Sequence, residues 1–78
     1  MDFIGVAAQF SPDGKITPLS FTWQGRDYPV ESLGRSWQDA AGHHFLVIVP
    51  GARIYELVLD LAAGRWRLEQ VGTERQTA

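Results

Sequence analysis

Apolar and polar positions alternate with a period of two along much of this chain. Leu19, Phe21 and Trp23 interleave with Ser20 and Thr22, and Tyr55, Leu57, Leu59 and Leu61 interleave with Glu56 and Asp60. That period sets one side of a strand on a core and the other in water. Residues 54–61 also satisfy a helical template, through Ile54, Leu57, Val58 and Leu61. Pro50-Gly51 before the segment and the Ala62-Ala63-Gly64-Arg65 turn after it favour a strand. His44-Phe45-Leu46-Val47-Ile48-Val49 is apolar on both sides, as a central strand should be. A first strand, Phe3 to Phe10, runs into Ser11-Pro12-Asp13-Gly14, which has Pro and Gly where a type I turn favours them. A last strand spans Trp66 to Val71.

Gln24-Gly25 occupies the place of a two-residue hairpin turn. Such a turn pairs Trp23 with Arg26, Phe21 with Tyr28 and Leu19 with Val30, and all six then share one face. Pro29 falls opposite Ser20. It donates no ladder bond, which predicts an edge or a bend there. Beyond it, Glu31 to Trp37 reads as a continuation of the same strand bent by a bulge at Gly34, with a short helical turn over 36–41 as the alternative. The expected fold is all-β, with about six short antiparallel strands in a strongly curled meander sheet or small barrel. Residues 1–71 form one domain, and 72–78 form a polar tail.

Seventy-eight residues without a cysteine exclude disulfides and thiolate zinc sites. A core this small gives a thin stability margin, which favours self-association, and a homodimer is expected on that ground. The formal charge of −2 offers no general attraction to nucleic acid or anionic membranes. No stretch has the ~18–20 apolar residues of a membrane span. Met1-Asp2-Phe3-Ile4-Gly5 lacks the features of a signal peptide, so a cytoplasmic location is expected.

The candidate chemistry is sparse. No serine lies in a nucleophile elbow. His43 and His44 are neighbours and so point to opposite faces of a strand, with at least one expected in solvent. Glu56 and Asp60 share a face but stand about 13 Å apart along a strand, too far for a carboxylate pair. Neither catalytic residues, metal ligands nor a cofactor are expected. Aromatic and arginine residues remain: Trp23, Arg26, Tyr28, Arg35, Trp37, Arg65, Trp66 and Arg67. Such residues make interaction hot spots, although Trp23, Tyr28 and Trp66 serve equally well to fill a small core. Arg26 lies opposite Trp23, and Arg65 and Arg67 flank Trp66, which suits cation–π contacts. The expectation is a non-enzymatic module that binds a protein partner or itself. The alternative is a small β-barrel that binds single-stranded nucleic acid through aromatic stacking and arginine contacts.

The run Phe21-Thr22-Trp23-Gln24-Gly25-Arg26-Asp27-Tyr28-Pro29-Val30 is followed by Trp37, Tyr55-Glu56-Leu57, Asp60, Gly64-Arg65-Trp66 and Leu68. This pattern resembles a family of small bacterial proteins of unknown function that carry an F-x-W-x-G-R-x-Y-x-V hairpin. Their second hairpin reads Y-E-L-x-x-D…G-x-W-x-L. The resemblance spans residues 16–71. It implies an all-β fold and a bacterial cytoplasmic origin, and it brings no activity with it.

Overall fold

The computed structural model describes residues 2–73, with side chains for 3–69. Seven strands follow one another: β1 (Asp2–Phe10), β2 (Ile16–Trp23), β3 (Arg26–Pro29), β4 (Ser32–Asp39), β5 (Gly42–Val49), β6 (Arg53–Asp60) and β7 (Arg65–Thr73). They form one antiparallel sheet in the order β3-β2-β1-β7-β6-β5-β4, curled into a half-barrel. No helix among the described residues is long and apolar enough to cross a membrane.

The turn chemistry works as the residues dictate. Gly14 N–H donates to Ser11 O at 2.9 Å and closes the Ser-Pro-Asp-Gly turn. Gln24 and Gly25 both have positive φ, 51° and 76°, the left-handed pair that a tight two-residue hairpin requires. The ladder then sets Trp23 against Arg26, Phe21 against Tyr28 and Ser20 against Pro29. Leu19 departs from the expected face. The β1–β2 ladder slips between Ala7 and Ala8, leaving Leu19 as the unpaired bulge residue. Pro18 takes the interior place, fully buried, while Leu19 is half exposed.

The strand expected to run on from the hairpin is two strands, which makes seven. Pro29 ends β3, and two residues later the chain starts β4 on the opposite edge of the sheet. Val30 N–H donates to Leu19 O at 2.9 Å, and Glu31 N–H donates to Ile48 O at 2.7 Å. This two-residue link therefore joins the two sides of the curl. β4 remains a strand through Asp39, so no helical turn forms over 36–41, and its register slips between Leu33 and Ser36 around Gly34. β7 continues through Gly72 and Thr73, which pair with Ile54 and Arg53. The rest of the expected tail, 74–78, lies outside the described residues.

The concave side holds the core: Phe21, Phe45, Val47, Val49, Tyr55, Leu57, Leu59 and Leu68, with Ile4, Val6, Ile16, Trp23, Tyr28, Val30 and Trp66 packed against it. Tyr55, Leu57 and Leu59 alternate inward on β6, which settles residues 53–60 as a strand. Leu61 belongs to the following turn and is exposed. Val58 points the other way and is nonetheless fully buried, set between His44 and Arg67 in the ladders.

Candidate functional site

The half-barrel is incomplete at one place. β3 pairs only with Ser20 to Trp23, so the first residues of β2 have no strand beside them on that side. β4 pairs with β5 alone. Between β2 and β4 a cleft of about 370 Å³ opens, within the size range of ligand sites. Its apolar lining is Ile16, Leu33, Phe45 and Leu46; its polar side chains are Lys15, Arg35, Ser36 and His43. No carboxylate lines it, although the chain as a whole is acidic.

Each polar group is placed by local structure. The Ser11–Gly14 turn delivers Lys15, whose N–H donates to Asp13 Oδ1 at 3.0 Å and whose carbonyl accepts from Ser11 N–H at 2.8 Å. The bulge at Gly34 turns Arg35 and Ser36 to the cleft rim. A Cβ on Gly34 would sit in ordinary contact with the Leu46 side chain. His43 points to the concave side and stacks on Phe45, with ring centroids 4.3 Å apart. Among the described residues neither Lys15 nor Arg35 is ion-paired.

On the convex face, Arg35 lays its guanidinium 5.1 Å from the centroid of Trp37. The other stacking partner of that indole is His44, at 4.8 Å and nearly parallel. His44 is buried, 8% exposed, so neither adjacent histidine is the solvent-facing residue expected from sequence. His44 Nδ1 lies 2.8 Å from Glu56 Oε2, and its Nε2 lies 2.9 Å from Asp39 Oδ1. An ionised carboxylate only accepts hydrogen bonds, so the ring serves both partners at once only as an imidazolium, with both nitrogens donating. Burial opposes that charge, but the bonds to Glu56 and Asp39 outweigh it and raise the His44 pKa. The same hydrogen bond, aided by the Ala41 N–H, holds the Asp39 carboxyl below its usual range.

The eight residues singled out from sequence do not form one site. Trp23 and Tyr28 join Phe21 and Tyr55 in a ring cluster against the core, where Phe21 and Tyr28 stack at 5.0 Å. Arg26 is exposed opposite Trp23. Trp66 packs on Phe45 inside the curl, and Arg65 lies over Phe3 at 4.7 Å, not over Trp66. Arg67 pairs with Glu69 at 2.9 Å and Asp60 at 3.5 Å. Of the eight, only Arg35 lines the cleft, and Trp37 touches it through Arg35 alone. Sequence reasoning missed Lys15, Ser36 and His43, and it missed the Asp39–His44–Glu56 array. A usable signal was the strong turn immediately before Lys15, the chain's one lysine.

No family model, curated protein or solved structure matches this chain. The family resemblance therefore rests on the quoted motifs alone.

Proposed function

We propose that this chain is a non-enzymatic binding module that seats an extended, carboxylate-bearing segment of a protein partner in the cleft between β2 and β4. The observation that carries this reading is the unclosed seam, where Lys15 and Arg35 border a cleft lined in part by apolar residues and by no carboxylate. An extended segment fits because strands on both sides of the cleft lack a neighbour there. Charge-assisted hydrogen bonds to carboxylates contribute about 1.5–3 kcal/mol each, enough for specificity on a small surface. Ser36 and His43 share the cleft, but no hydrogen bond joins them and no carboxylate backs His43 among the described residues. Binding therefore accounts for the site better than acyl transfer does. A role in the reducing cytoplasm is part of the proposal and suits a chain without cysteine.

The nucleic-acid alternative has less support, because Trp23, Tyr28 and Trp66 pack against the core and present no stacking platform. Amide chemical shifts test the proposal during titration with a short peptide of alternating glutamate and valine, with a lysine–valine peptide as control. Saturable shifts at Lys15, Leu33 to Ser36 and His43 with the acidic peptide alone are expected. Equal response to both peptides, or shifts elsewhere only, overturns it. A labelled single strand that binds at the same residues with a steep salt dependence would favour the alternative. Sedimentation of the free chain tests self-association in parallel.

A further inference from the structure

The convex face carries a device that the binding reading does not use. His44 on β5 reaches Asp39 on β4 with one nitrogen and Glu56 on β6 with the other. Trp37 and Arg35 of β4 stack in sequence on the ring. Beyond Val58, Arg67 of β7 faces the group and is held by Asp60 and Glu69. The clamp thus ties β4, which has a strand on one side only, across β5 to β6. β4 is also the strand that supplies Leu33, Gly34, Arg35 and Ser36 to the cleft.

The geometry points to a protonation latch: His44, clamped between Asp39 and Glu56, locks β4 in the position that completes the cleft. The inference rests on the binding reading given above. As an imidazolium the ring satisfies both carboxylates. A neutral ring has one N–H, so one carboxylate faces a lone pair and is repelled. Loss of the proton thereby loosens β4 and, through Trp37 and Arg35, the cleft rim. Affinity for a carboxylate-bearing segment is highest while His44 is protonated and falls as pH rises through its pKa. His43 lines the cleft itself, so an experiment must separate its contribution from that of His44.

Glu56→Gln makes the separation. A glutamine amide can donate to a neutral Nδ1 while Nε2–H still serves Asp39, so the clamp closes without the extra proton. The wild type, Glu56→Gln and His43→Gln are compared by imidazole NMR titration, amide protection factors along β4, and affinity for the glutamate–valine peptide across pH. In the wild type, β4 protection relative to β6 should fall as His44 titrates, and affinity should fall about tenfold, within the usual range for coupled sites. Glu56→Gln should lower the His44 pKa, flatten the β4 protection profile and remove most of that tenfold change, whereas His43→Gln should keep most of it. Constant β4 protection through the titration of His44 overturns the latch. So does a pH profile of affinity that Glu56→Gln leaves intact and His43→Gln abolishes. A peptide that fails to bind at every pH defeats the binding reading instead, and β4 protection then decides the latch alone.

Discussion

His44 and Glu56 are diagonal neighbours, not direct partners: the ladder sets His44 opposite Val58 and Glu56 opposite Leu46, yet Nδ1 and Oε2 meet at 2.8 Å. Both side chains lie on the same side of the sheet as the fully buried Val58, which the ladder sets opposite His44. The consequence for stability has a definite sign. The His44 pKa is raised from its ordinary 6.5, so its contribution is complete below that value and is lost as pH rises through the folded pKa. The Asp39 pKa is lowered from 3.8, so its contribution is present above that value and is lost as pH falls through the folded pKa. Stability should therefore be greatest between those two ordinary values and decline above neutrality. Thermal melts across pH check this, and a 60–100-residue domain moves by about 4–8 °C per kcal/mol. A melting temperature that rises from about pH 6 to about pH 9 would contradict a His44 pKa raised by its two carboxylate partners.

Gly42→Ala should unfold the domain. Gly42 has φ +140°, and a Cβ there would stand 2.2 Å from the Leu59 carbonyl oxygen. Both obstacles are backbone and cannot rotate away. The glycine lets β5 run close beside β6 at the base of the His44 clamp. Loss of the β-sheet signal in circular dichroism at room temperature is the expected result.

Gln24→Asn should stabilise the fold by roughly 0.5 kcal/mol or slightly more, because asparagine tolerates the left-handed backbone that Gln24 adopts at φ 51°. A denaturant titration with unchanged slope and a higher midpoint checks it.

Leu57→Ala removes a fully buried side chain at the centre of the core and should cost about 2–5 kcal/mol. That is comparable to the whole margin of a domain this small. Equilibrium unfolding should find the variant largely denatured at room temperature.

The elements legible in the sequence were those whose signals are local. Gln24-Gly25 gave the turn and hence the register of Trp23, Phe21 and Tyr28, because a two-residue loop leaves a hairpin no other pairing. Pro29 at an edge and the bulge at Gly34 were legible for the same reason. Two features depend on where distant segments meet. One is the passage of Val30 and Glu31 from one side of the curl to the other, which makes seven strands of an expected six. The second is the bulge beside Ala7 and Ala8 that puts Pro18 inward and Leu19 out. The site was less legible still. Lys15 and Arg35 are distant in sequence and border the same cleft only because the start of β2 and β4 flank the unclosed seam. The pairing of His44 was not legible because neither Asp39 nor Glu56 is adjacent to it in the chain.

Charge reversal within the cleft probes the binding reading most directly. Lys15→Glu and Arg35→Glu lie on exposed side chains and should leave the fold intact, within about 0.5 kcal/mol of wild type. Affinity for the glutamate–valine peptide, measured by fluorescence anisotropy at low salt, should fall at least tenfold in each variant, about 1.4 kcal/mol. It should fall further in the double variant, which should also acquire affinity for the lysine–valine peptide. Unchanged affinity for the acidic peptide in the folded double variant would contradict the assignment of the β2–β4 cleft as the binding site.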